Sequence, residues 1–226
     1  MRVRRSYGPR ERITISLVGL SCVSVGLFFV GALDNRSLMF DYMLWNLFLA
    51  WIPLLTVVLL VCSLRTHRWS DWSPLGLTLL WLLFLPNSFY MISDFMHIQQ
   101  ATSHVLYNVV MFTACILTGV MLGFSSLFIV HTELNKRLAA RYVRRCIGVI
   151  LLVCSFAIYL GRDLRWNSWD VLTNPAGILF DVSDHLIHPL QGGSMYTTTI
   201  TFFVLLGSFY VAGWQIASAA RQNASR

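Results

Sequence analysis

Six apolar runs alternate with short polar segments along this chain, at about residues 13–33, 42–63, 74–92, 105–130, 146–160 and 195–217. A bilayer's hydrocarbon core is about 30 Å thick and takes roughly 20 helical residues to cross. Five of the runs meet that length and the fifth in order is short. The pattern predicts an all-α polytopic membrane protein, a bundle of six transmembrane helices forming a single membrane domain over residues 1–226. The first run follows Arg2, Arg4, Arg5, Arg10 and Arg12, an arrangement shared with signal peptides. Its length exceeds a signal core of about 7–15 residues and further spans follow, so it reads as a first transmembrane helix with a positive anchor. Pro74 suits the first turn of the third span. The longest stretch without a span runs from Gly161 to about Gly193. Within it, residues 177–188 are expected to form a re-entrant or interfacial helix, or a loop, stopped by Pro189 and the Gly192-Gly193 pair. This segment would cap the bundle between helices five and six.

The third run breaks its own pattern. In LFLPNSFYMISDFMHI, residues 83–98, the apolar sequence is interrupted by Pro86 and Asn87 and ends in Asp94 and His97. A kink at Pro86 is expected, because proline removes a helical hydrogen bond and crowds the preceding turn. Asn87, Tyr90, Asp94 and His97 are spaced three, four and three residues apart, which on an α-helix forms one polar stripe that His104 and Asn108 would extend. At membrane depth such groups must face protein or a wet cavity, and their default reading is a functional site.

Composition agrees with a membrane location. The 226 residues are 56% hydrophobic and 12% charged, with mean hydropathy +0.63, against a charged fraction of about 25% in soluble domains. The net charge of +7 does not imply nucleic acid, because the basic residues sit in short clusters between spans. All Lys and Arg except Arg36, Arg162 and Arg165 fall on one side of the six-span layout. By the positive-inside rule that side is cytoplasmic, with both termini there and the protein in a bacterial cytoplasmic membrane. The acids divide the other way. Asp34, Asp41, Asp94, Asp163, Asp170, Asp181 and Asp184 fall outside, against Glu11, Asp71 and Glu133 inside, and His97, His104, His185 and His188 also fall outside. Acidic residues contribute little to topology, so this asymmetry points to use of Asp and His on the outer face. The five cysteines lie in or beside spans with no CxxC spacing and read as small packing residues. His67 and His131 adjoin basic loops and read as interfacial. Gly119 and Gly123 form a small-xxx-small pair suited to helix packing.

Two stretches, FLPNSFYMISDFMHI at 84–98 and YLGRDLRWNSWDVL at 159–172, together with the six-span layout, resemble a bacterial integral membrane family catalogued as domain-of-unknown-function family 1361. The resemblance implies that Pro86, Asn87, Tyr90, Asp94, His97, Arg162, Arg165, Asn167, Ser168, Trp169 and Asp170 are signature positions. The chain departs from the family pattern in having Phe89 where a second proline is common and Asp163 where an apolar residue is common. The resemblance brings no activity with it, since the family is uncharacterised.

Three chemistries suit these residues. Asp94 and His97 are one turn apart, and Asp181, Asp184, His185 and His188 occupy positions i, i+3, i+4 and i+7 of a helix. Their oxygen and imidazole donors suit a divalent metal such as zinc, with Asp94, His97, His185 and His188 as candidate ligands and Asp94, His97, Asp184, His185 and His188 as candidate catalytic groups, either ligands or acid/base residues. Arg162 and Arg165 match phosphate oxygens, and with Asn87, Tyr90, Asn167, Trp169 and Asp170 they form a candidate binding set for a headgroup-bearing or lipid-linked substrate. The expectation is a metal-assisted hydrolase or transferase at the outer face. The alternatives are a non-catalytic partner of an envelope assembly, and a proton- or ion-coupled transporter using Asp94, which would require a homodimer.

Overall fold

The structure, a computed structural model, describes residues 9–35, 40–100, 104–166, 168–187 and 193–224. Helices α1 (Pro9–Asn35), α2 (Tyr42–Ser63) and α3 (Trp72–Tyr90) are followed by a 3-10 helix, Met91–Gln100. Then come α4 (Val105–Asn135), α5 (Ala140–Arg162), the single turn α6 (Asp170–Thr173), α7 (Pro175–Ile187) and α8 (Gly193–Ala224). Six of these segments are long and apolar enough to cross a membrane: Glu11–Leu33, Tyr42–Ser63, Trp72–Gln99, Val105–Asn135, Ala140–Arg162 and Ser194–Ala220. Their exposed faces carry side chains such as Val23, Phe29, Phe48, Val149, Ile200 and Val204. That is the surface of a polytopic helical bundle in lipid rather than of a chain in water.

Helix α4 is the hub, touching α1, α2, α3 and α5, while α2 and α3 pack side by side and α8 packs on α5. Without a strong hydrophobic drive between helices in lipid, close packing and interhelical hydrogen bonds hold such a bundle. Both are present. Ser24 and Thr118 hydroxyls pair at 3.0 Å across α1 and α4. Trp81 Nε1 donates to Ser126 Oγ at 3.2 Å across α3 and α4, and Ser88 Oγ donates to the Ala50 carbonyl at 3.3 Å across α3 and α2. A Cβ at Gly119 would lie 3.2 Å from the Ser88 carbonyl oxygen, and one at Gly123 2.8 Å from Ser88 Cβ. The small-xxx-small pair is where the broken stretch of α3 presses against α4.

Three expectations change. The α-helix of the third span runs through Pro86 but gives way at Met91 to 3-10 geometry, with Ser93 Oγ donating to the Tyr90 carbonyl at 2.7 Å where the two meet. Because 3-10 side chains repeat every three residues, Met91, Asp94 and His97 share a face. His104 and Asn108 do not extend it. His104 sits at φ 50° just before α4, where the chain reverses, and Asn108 is buried inside α4. Second, the basic segment before span five is largely helical, since α5 begins at Ala140 and carries Arg141, Arg144 and Arg145. Arginine is a good helix former whose long stem reaches the interface from within a helix. Third, His131 is buried rather than interfacial. It is 7% exposed, shares a hydrogen bond with the Tyr210 hydroxyl, and stacks on Trp214 at 3.7 Å between ring centroids.

The close approach of α3 and α4 yields a pair of substitutions with opposite signs. Gly123→Ala inserts a methyl where none fits and is expected to cost about 1–3 kcal/mol. Gly207→Ala meets nothing within 4 Å and is expected to gain up to about 1 kcal/mol from lower backbone entropy. Thermal midpoints of the detergent-purified proteins check both.

Candidate functional site

Asp94 is 2% exposed, inside a membrane-spanning segment. A carboxylate so placed needs a donor from protein, and Asn46 Nδ2 on α2 supplies one at 3.1 Å to Asp94 Oδ2. One helical turn before Asn46, Tyr42 packs edge-on against the His97 ring at 5.4 Å between centroids. Asp94 and Tyr90 both lie within electrostatic reach of the Tyr42 hydroxyl. That hydroxyl is buried and has no hydrogen-bond partner among the described residues. An unpaired buried hydroxyl beside a buried carboxylate is uncommon, because desolvation without a compensating bond is costly.

The second motif folds onto the first. Asn87 Nδ2 donates to Ser168 Oγ at 2.9 Å, joining α3 to the turn before α6. Gly161 near the end of α5 leaves room for Tyr90, since a Cβ there would lie 3.3 Å from Tyr90 Cε2. Asp94, Arg162 and Arg165 all act on the Tyr90 hydroxyl through space. Beyond α5 the chain turns sharply. The Trp166 amide donates back to the Leu160 carbonyl at 3.0 Å, and Arg165 takes up the left-handed region at φ 59°. Arg162 lies 3.8 Å from the Asp163 carboxylate, and the Arg165 side chain is exposed.

Trp166 ties this turn to the cap. Its Nε1 donates to Asp181 Oδ2 on α7 at 2.9 Å, and its ring packs close to Gly177. Helix α7 starts as its sequence dictates, with Asn174 Oδ1 accepting the Gly177 amide at 3.1 Å and Pro175 in the first turn. Its residues Leu179 and Phe180 are exposed. The segment expected at 177–188 as a re-entrant or interfacial element, or a loop, is therefore a helix over Pro175–Ile187.

Of the sequence-derived candidates, the structure brings together Asn87, Tyr90, Asp94, His97, Arg162 and Arg165 at one end of the bundle. Asp170 opens α6 nearby, while Trp169 and Asp184 are exposed. Asn167, His188 and the His185 side chain lie outside the described residues. Among the described residues no group of three or more His, Cys, Asp or Glu side chains converges as a metal site would require. Asp181 is engaged by Trp166. Tyr42, Asn46 and Gly161 were not singled out from sequence, whereas Trp166 was expected beside the arginine pair and instead bonds Asp181. For Tyr42 and Asn46 the signal was their i, i+4 spacing at the end of span two that lies level with Asp94.

The family described as "Protein of unknown function (DUF1361)" matches residues 45–210, a stretch that includes Asn46 and both motifs. No curated protein and no solved structure matches the chain.

Asn46→Ala leaves the buried Asp94 oxygen without its donor and is expected to destabilise the protein by about 1–3 kcal/mol. In a double-mutant cycle with Asp94→Ala the two losses are expected to be less than additive, since each removes the same bond. Denaturation in detergent measures the coupling.

Proposed function

The chain belongs to the DUF1361 family, and we propose that the Asp94 end of its bundle binds the anionic headgroup of a lipid or lipid-linked substrate and acts on it by hydrolysis or group transfer. This end would face away from the cytoplasm of a bacterial cell, with both termini inside, a reading supported by the concentration of Lys and Arg at the opposite end. The observation that carries the proposal is the Tyr42 hydroxyl, buried without a partner beside Asp94 at the point where two distant motifs meet. A substrate oxygen would complete its hydrogen bonding. Arg162 and Arg165 would hold the phosphate, whose oxygens match the guanidinium fork. Trp169, exposed at the same end, suits headgroup depth. Asp94 would act as the acid/base group, since a carboxylate removed from water and bonded to a neutral amide rather than to a cation is poised to exchange a proton.

A divalent metal such as zinc, which would need at least a third donor beside Asp94 and His97, is left out of this reading, since no three such donors converge among the described residues. One observation favours a second reading. Asp94 is almost completely shielded within a span, which suits a proton-binding carboxylate of a transporter.

The three roles separate by substitution. Arg165→Gly relieves the left-handed backbone and removes the charge, so stability is expected to hold or rise while affinity for a phosphate-bearing lipid falls about tenfold. Asp94→Asn keeps the shape and is expected to retain binding while losing turnover. Lipid binding in nanodiscs with phosphate release or transfer checks the reading. Unchanged binding in Arg165→Gly and Arg162→Gln would overturn it, and proton flux in liposomes that vanishes with Asp94→Asn would establish the transporter instead.

A further inference from the structure

A second polar feature lies at the opposite end of the bundle, where α2 and α4 finish. Val61, Leu64, Arg65, Glu133, Lys136 and Arg137 line a cavity of about 260 Å³. Its charges are unequally matched. Glu133 is 6% exposed, and its carboxylate is ion-paired with Lys136 at 2.5 Å, so those two neutralise one another. Arg65 and Arg137 are left over, and the Arg65 side chain has no partner among the described residues. Arg137 is held in place by an aromatic ring, its Cζ 5.5 Å from the centroid of Trp69. Trp69 is itself fixed, donating from Nε1 to Thr78 Oγ1 at 3.0 Å, while Thr78 donates to the Pro74 carbonyl at 2.8 Å. A guanidinium stacked on an anchored indole keeps its donors free and loses little freedom on binding.

We propose that this cavity binds the phosphate of an anionic phospholipid between Arg65 and Arg137. The phosphate follows from two uncompensated guanidinium groups around a space of this size. The lipid follows from the walls. Val61 and Leu64 form an apolar side to the cavity at the boundary of a membrane span, and Val58 and Leu55 continue exposed along the same helix toward the bilayer centre. An acyl chain lying over them would keep the headgroup in the cavity. Such a lipid would clamp the 64–71 turn, α2 and α4 together, at the end opposite Asp94.

The test uses the full chain, purified and delipidated in a neutral detergent, with its thermal midpoint followed as phosphatidylglycerol, phosphatidylcholine or inorganic phosphate is added. Phosphatidylglycerol is expected to raise the midpoint by several degrees, with phosphatidylcholine and inorganic phosphate without effect. In Arg65→Gln/Arg137→Gln the phosphatidylglycerol concentration needed is expected to rise about tenfold or more. Arg144→Gln/Arg145→Gln removes the same charge from the exposed face of α5 and is expected to respond as the unaltered protein does. An equal loss in that control would show a diffuse basic surface and overturn the site. An equal response to inorganic phosphate would overturn the lipid assignment. A response to phosphatidylcholine as large as to phosphatidylglycerol would overturn recognition of charge. Should the Arg65/Arg137 variant not purify, the same titration on Arg137→Lys is expected to show a weakened response, since lysine lacks both the planar stack and the fork.

Discussion

A carboxylate cannot be left in hydrocarbon, and much of this structure answers that constraint at Asp94. The charged group lies within the third span, so its hydrogen-bond donor has to come from another helix at the same depth, and α2 provides Asn46. For α2 and the third span to meet there, α3 must sit tightly in the bundle. It does so because Gly119 and Gly123 let α4 approach the backbone around Ser88, and because Ser88 donates to a carbonyl of α2. The proline that weakens α3 thus stands in a segment packed closely on both sides. Neighbouring helices are what make a proline-interrupted, 3-10-ended span tolerable in a membrane, since they resolve the freed backbone groups.

The same constraint explains why the second motif folds back. Asn87 and Tyr90 are polar groups of the same span, and they need partners of their own. Asn87 obtains one in Ser168, and Tyr90 obtains a surface at Gly161, where any side chain would crowd it. Two segments about 80 residues apart in sequence are joined by these contacts. The cap follows in turn, since Trp166 reaches Asp181 and so ties α7 to the end of α5. A chain of polar contacts therefore runs from α2 through the third span to the 160s turn and onto α7. At the α2 end of that path the Tyr42 hydroxyl is buried and unmatched among the described residues.

The spans were legible because hydrophobic run length is dictated by bilayer thickness and needs no knowledge of neighbours. The 3-10 ending of the third span was not. Asn87, Tyr90, Asp94 and His97 have a spacing that an α-helix satisfies, and nothing in that spacing reports that the backbone tightens after Tyr90. The start of α5 was hidden for a different reason, because arginines at a helix end lower hydropathy without ending the helix. His131 was misjudged because its partners Tyr210 and Trp214 lie on α8, about 80 residues onward, and burial by a distant helix leaves no local trace. Asp94 and the arginine motif could be singled out from sequence as charges in costly places. Asn46 and Tyr42 were harder, since an amide and a phenol near a helix end are ordinary until the opposing carboxylate is known.

Arg165 is where local preference and observed geometry conflict most openly. A left-handed backbone at a residue with a side chain costs roughly 1 kcal/mol or more, and glycine would avoid that cost. Here the turn closes on the Trp166 amide and is held from the far side by the Asp181 carboxylate through the Trp166 indole. The surrounding contacts thus enforce the conformation, and the strain falls on a residue whose side chain takes no part in those contacts. A guanidinium exposed at the same end as a buried, incompletely bonded pair of Tyr42 and Asp94 contributes nothing evident to the stability of the turn. Its guanidinium lies within electrostatic reach of Tyr90 and is exposed at that end of the bundle. Strain retained at a position that does not need its side chain for folding is the pattern expected where the side chain serves a ligand.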